Sequence, residues 1–146
     1  MLKDKILKNK DKTRKTILKP KKIILDTNFL LIPGLQKVDI FAEIDKMADF
    51  GYEIVILDGT LRELNNIIEK ERRKFRDAAK LAKSLIKAKD LKTVHSTSKK
   101  SVDDIIVDLA GRDKHLIIAT QDKELKKRLS GNRLIILKQG NYLTFI

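Results

Sequence analysis

The 146-residue chain has no cysteine and no tryptophan, and only two histidines, two prolines and six glycines. The missing thiols exclude disulfide scaffolds, thiolate zinc sites, iron–sulfur clusters and cysteine nucleophiles, and they suit a reducing, cytoplasmic compartment. His95 and His115 are too few for a histidine-based metal centre. Two Tyr and five Phe leave little surface for stacking nucleobases. Apolar runs such as FLLI at 29–32, IVIL at 54–57 and LIIA at 116–119 fall far short of the ~18 residues that cross a bilayer. The first 20 residues are positively charged without an apolar segment, so neither a secretory signal nor a membrane partner is expected. No P-loop and no G-x-G-x-x-G fingerprint is present; Gly34, Gly51 and Gly59 stand alone.

What is abundant is positive charge. Thirty-three Lys and Arg against 20 Asp and Glu give a net charge of +13. A small domain this basic points to a polyanionic partner, nucleic acid first. Residues 1–21 are lysine-dense and read as a basic N-terminal arm, either a solvated tail or a segment that lies on phosphates. Residues 22–146 read as one domain, and 42% hydrophobic residues can fill its core.

Within that domain, short apolar runs alternate with helix-period segments. KIILD at 22–26, YEIVILD at 52–58, HLIIAT at 115–120 and RLIILK at 133–138 read as strands. A weak strand is expected near Thr93 and Val94, and NYLTFI at 141–146 as an edge strand. Helices are expected over 39–49 with Asp39 as N-cap, over 60–68, over 69–90, over 101–112 with Gly111 near its stop, and over 122–129 closed by Gly131. Such alternation predicts βα units: a three-layer α/β/α sandwich around a mostly parallel sheet. Chemistry in these sheets sits off the carboxyl ends of the strands, where strand order reverses.

Acids stand at those ends. Asp26 closes the first strand, Glu63 lies one helical turn past the second, Asp103 and Asp104 open the helix after the third, and Asp122 follows the LIIAT strand. Each also has a purely structural reading. Thr60-x-x-Glu63 matches a capping box, Ser101-x-x-Asp104 nearly does, Asp103 suits a helix dipole, and Asp122 suits an N-cap. Asp26, at the end of an apolar strand, is the hardest to explain by capping. Gathered at one sheet edge, the acids would repel one another unless a cation neutralised them or some took up protons. All-oxygen ligands select hard cations, Mg²⁺ or Mn²⁺.

LDTNFLL at 25–31, LRELNNI at 61–67, SVDDIIVDLA at 101–110 and IATQDKELKKRL at 118–129 resemble, in order and spacing, the four acidic motifs of PIN-domain nucleases. The resemblance spans about residues 22–146 and is strongest to the ribosomal-RNA-processing PIN endonucleases of archaea and eukaryotes; PIN toxins of toxin–antitoxin pairs share the same acids. It implies that Asp26, Glu63, Asp103 and Asp122 are catalytic metal ligands. Asn28 and Thr120 would be supporting polar groups, and Asp104 an extra ligand or the cap of its helix, with Asp108 structural. The eukaryotic relatives carry further metal-binding cysteines, which this chain lacks. The implied reaction is metal-dependent hydrolysis of RNA to 5′-phosphate and 3′-hydroxyl ends. Lys99 and Lys100, just before Asp103, are candidate RNA contacts, and ribosomal RNA or its precursor is the expected partner. Ribosome-assembly factors or an antitoxin would be protein partners.

Other carboxylate-edged α/β folds fit less well. A response-regulator receiver needs paired acids at its first strand, whereas Asp26 stands alone; a dehalogenase-type phosphatase needs Asp-x-Asp, and position 28 is Asn. The rival from another class is a PIN-fold RNA-binding assembly factor with an idle site.

Overall fold

The computed structural model describes residues 19–146; the arm expected over residues 1–21 lies, up to residue 18, outside the described residues. The strands are β1 (Lys21–Leu25), β2 (Tyr52–Leu57), β3 (Lys92–Val94), β4 (Ile117–Ala119), β5 (Leu134–Lys138) and β6 (Tyr142–Phe145). They form one sheet in the order β3-β2-β1-β4-β5-β6. β1 to β5 are parallel, and β6 closes the edge antiparallel to β5.

The helices are α1 (Thr27–Leu30), α2 (Ile32–Gln36), α3 (Ile40–Met47), α4 (Asp58–Lys70), α5 (Arg73–Ala88), α6 (Val102–Arg112) and α7 (Lys123–Arg128). From β1 the chain steps outward to β2 and β3, then returns across β1 to β4 and β5. Right-handed crossovers in opposite directions must use opposite faces, so α1–α5 cover one face and α6–α7 the other.

The strand residues divide accordingly. Ile23, Leu25, Ile56, Ile117 and Ala119 pack with Phe29, Ile40, Phe41, Ile44, Leu64 and Ala78 in one core. Ile24, Val55, Leu57 and Ile118 pack with Ile105, Ile106, Leu125 and Leu129 in the other. Both faces are buried, which is why these strands read as continuous apolar runs rather than as alternation. The expected three-layer sandwich is the observed one.

Several expected boundaries move. The helix expected over 60–68 begins at Asp58 with Leu57 as its cap residue, so Thr60 is not an N-cap; it is buried inside the first turn. The helix expected over 101–112 is not stopped by Gly111 but runs through it to Arg112. Residues 27–36, for which periodicity predicts no element, form two short helices whose apolar residues are too few for a repeating stripe. Asp39 caps α3 as expected, accepting from the Ala42 N–H at 3.1 Å. Among the described residues no helix is long and apolar enough to cross a membrane.

Candidate metal centre

The sheet reverses its strand order between β1 and β4, and the acids collect there. Asp26 follows β1 directly and is 3% exposed. Its Oδ1 accepts from the Thr27 N–H at 2.8 Å, capping α1, and its Oδ2 accepts from the Thr120 hydroxyl at 2.9 Å. Asp26 is therefore a helix cap after all, a role hidden in the sequence because α1 is only four residues long. Thr120, fully buried at the end of β4, also accepts from the Asp122 N–H at 3.0 Å. The hydroxyl accepts from Asp122 through one lone pair and gives its proton to Asp26. One side chain thus links two of the acids.

Asp122 caps α7, as expected: its Oδ1 accepts from the Glu124 and Leu125 N–H groups at 2.9 and 3.2 Å, leaving Oδ2 for other partners. Asp103 lies in the first turn of α6, whose cap is Ser101, accepting from the Asp104 N–H at 3.2 Å. Oxygens of Asp26, Asp103 and Asp122 all lie within 4.8 Å of one another. Glu63, on α4, stands outside this tight triad but close enough that the Asp26 and Asp103 charges both act on it. Gly59 lets α4 approach α6, since a Cβ there would stand 2.8 Å from Val102 Cγ2.

The electrostatics separate the acids. Burial, and after it the Asp103 and Asp122 charges, push Asp26 up to about 6 despite the hydrogen bonds from Thr120 and Thr27. Burial raises Glu63 too, as does the Asp26 charge, against a hydrogen bond from Thr27. Asp103 is raised by burial and by Asp122. Asp104 goes the other way: a 2.7 Å bond from Arg128 holds it low. Successive helical residues point about 100° apart, so Asp103 meets the triad while Asp104 turns to α7.

This set fits a hard divalent cation. Opposite ligands of octahedral Mg²⁺ are about 4.2 Å apart, so oxygens within 4.8 Å need only small movements to share an ion. The donors are carboxylates alone, and bringing them together costs energy until their charge is neutralised.

The remaining sequence candidates are placed less centrally. Asn28 is exposed on α1. Lys100 is tied to Asp108 at 2.8 Å, while Lys99 is exposed on the loop before α6. His95 is exposed and pairs with Asp58 at 3.8 Å; His115 lies before β4, at the opposite edge of the sheet. Sequence reasoning gave Thr27 no role and Thr60 only that of a cap; both are buried, with hydroxyls 3.4 Å apart, and Thr27 also hydrogen-bonds Glu63. It also missed Asp58, which anchors the 95–101 loop by accepting the Ser96 N–H at 3.2 Å. A threonine shortly after each of the first two strands, in DT at 26–27 and GT at 59–60, was the available signal for this pair.

A mostly parallel α/β sheet with a carboxylate triad at its switch point defines the class, and the chain belongs to the PIN-like domain family, whose profile matches residues 23–140. It is 32% identical over 123 residues to Ribonuclease VapC4 of Methanocaldococcus jannaschii, covering 83% of this chain and 93% of that one. Its fold is similar to the PIN domain endonuclease Utp24, with a TM-score of 0.70 and 25% identity over 86% of this chain and 91% of that one. DNA-bound VapBC from Salmonella typhimurium shares the fold at a TM-score of 0.52 and 19% identity, over 80% of this chain and 98% of that one.

Proposed function

We propose that this protein is a cytoplasmic, metal-dependent endoribonuclease that hydrolyses RNA to 5′-phosphate and 3′-hydroxyl ends, using Mg²⁺ or Mn²⁺, with ribosomal RNA or its precursor as substrate. The observation that carries the reading is the buried Asp26 carboxylate, grouped with Asp103 and Asp122 at the switch point of a PIN-family sheet. Similarity to Ribonuclease VapC4 and to the endonuclease Utp24 supports cleavage within RNA. Residues 22–146 would be the nuclease domain and residues 1–21 an arm that adds phosphate contacts.

The chemistry a divalent cation supplies in such a site is an attacking water of lowered pKa and neutralised charge at the leaving oxygen. The residues hold and aim. Asp26, Asp103 and Asp122 are the ligands, with Glu63 beside them as a further or water-mediated one. Thr120 fixes Asp26, and the α7 N-terminus fixes one oxygen of Asp122. Neither histidine stands with the acids, so a histidine-type route through a 2′,3′-cyclic phosphate has no base or acid here.

Incubation with a structured RNA and Mn²⁺ is expected to give fragments with 5′-phosphates, and EDTA to stop the reaction. Asp103→Asn and Glu63→Gln should lose cleavage, whereas Asp104→Asn should keep it at saturating RNA and Mn²⁺, and Ser101→Ala should cost about 1 kcal/mol of stability as a lost cap. Metal-independent cleavage, or cyclic phosphate ends, would overturn the mechanism. A folded protein that binds RNA and cleaves none would favour the idle assembly factor.

A second reading, a ribonuclease restrained by an antitoxin, is favoured by the identity to Ribonuclease VapC4. Growth arrest on expression, relieved by a neighbouring gene product, would select it.

RNA binding itself should be electrostatic. Contacts with about 6–8 phosphates give a log K against log salt slope of roughly −4 to −7. Removing residues 1–18 flattens this slope if the arm touches RNA; an identical slope in the truncated protein makes it a passive tail.

A further inference from the structure

Arg128 ends α7, the helix that Asp122 caps. Six residues place its Cα about 9 Å along the axis from Asp122, but helical side chains lean toward the N-terminus. The guanidinium thus returns toward the acids and meets Asp104 Oδ1 at 2.7 Å, 24 residues back in sequence. It is near enough to Asp103 for its charge to oppose that residue's raised pKa.

Its environment is that of a prepared ligand rather than a buried strut. The side chain is 45% exposed. Asp104 engages one terminal nitrogen, and among the described residues no other group takes the remaining N–H donors of the fork. Other cations near this edge differ. Lys100 is held by Asp108 and Arg62 pairs with Asp58. Lys99 and Lys123 are exposed lysines, point charges without a fixed fork. As a strut between α6 and α7 the pair would matter little, since exposed ion pairs contribute weakly and Leu125 and Leu129 already pack with Ile105 and Ile106.

We propose that Arg128, oriented by Asp104, binds an RNA phosphate adjoining the carboxylate triad and so holds the strand at the site. Guanidinium suits this task because its planar fork matches two phosphate oxygens while a second edge stays on a carboxylate. The inference rests on the ribonuclease reading and names a residue which that reading does not require.

The test separates binding from cleavage. In the Asp26→Asn protein, where cleavage is silenced, binding of a labelled single-stranded oligouridylate is followed over a salt series, with and without Arg128→Ala or Asp104→Ala. Loss of one phosphate contact should reduce the magnitude of the log–log slope by about 0.7 and weaken binding about fivefold near 0.1 M salt. Asp104→Ala, which keeps the cation, should keep the slope. In the otherwise unaltered chain, Arg128→Ala should raise KM about fivefold with kcat nearly unchanged, and Arg128→Lys should keep the slope but recover only part of KM. Equal losses of melting temperature in Arg128→Ala and Asp104→Ala, with slope and KM unmoved, would make the pair a helix clamp and overturn the proposal alone. Failure of the parent to bind RNA at all would bring down the ribonuclease reading and this proposal together.

Discussion

Asp26→Asn is expected to stabilise the metal-free protein while abolishing cleavage. The carboxylate sits 3% exposed, and burial with its acidic neighbours lifts its pKa from 3.8 to about 6. A rise of that size corresponds to about 3 kcal/mol. The folded pKa is the higher one, so the stabilisation from a protonated Asp26 is complete below about 3.8 and is lost as the pH rises through 6. Above that, the native protein carries an unfavourable buried charge. Asparagine carries none, and its amide can still accept from the Thr27 N–H and donate to the Thr120 hydroxyl. The variant should therefore melt up to about 6–12 °C higher than the parent at pH 8, with the gap closing toward pH 4. Adding Mn²⁺ should raise the melting temperature of the parent and leave the variant unmoved, because only a state that binds a ligand is stabilised by it. Cleavage should fall by more than the 10–100-fold typical of losing a group behind a metal ligand. Thermal melts across pH, with and without Mn²⁺, decide the matter: a variant less stable than its parent at pH 8 would mean that Asp26 is ionised at no cost.

Gly34→Ala should be the most damaging single-methyl change, and Gly111→Ala its opposite. Both glycines are helical, and alanine is favoured over glycine in a helix by about 1 kcal/mol. Space decides the sign. At Gly34 a Cβ would stand 2.5 Å from Ala78 Cα and 2.7 Å from Ala78 Cβ, where α2 crosses α5. One of those atoms is backbone and cannot rotate away, so α2 must lift off a fully packed core. Overpacking costs about 1–3 kcal/mol, and the upper end applies where backbone must shift, so the cost exceeds the propensity gain by up to about 2 kcal/mol. At Gly111 nothing lies within 4 Å, so the propensity gain of about 1 kcal/mol remains. Urea unfolding of the two variants should move the midpoint in opposite directions. Ala78→Gly should rescue Gly34→Ala only in part, since it removes the 2.7 Å contact and leaves the 2.5 Å one.

The acids of the candidate site were legible because each punctuates a strand end, and βα alternation places all strand ends of a parallel sheet on one edge. Their division of labour was not. Asp103 and Asp104 are neighbours in sequence and could exchange roles on paper, yet one helical step turns the first to the triad and the second to Arg128. Thr60 reads as a cap for Glu63, but the helix starts two residues earlier because the chain turns directly out of β2 at Asp58.

By itself, then, the sequence determined the layer architecture, the edge on which the candidate acids gather and the acidic character of that candidate site, since these follow from local periodicity and from residue types at element boundaries. The tertiary structure alone decided the strand order β3-β2-β1-β4-β5-β6, the closeness of Asp26, Asp103 and Asp122, the bridging of Asp26 and Asp122 by Thr120, and the return of Arg128 onto Asp104. Apart from the local Asp122–Thr120 bond, these are contacts between residues far apart in the chain. Which of them form depends on how both faces of the sheet bury their apolar residues together, and no local spacing encodes that.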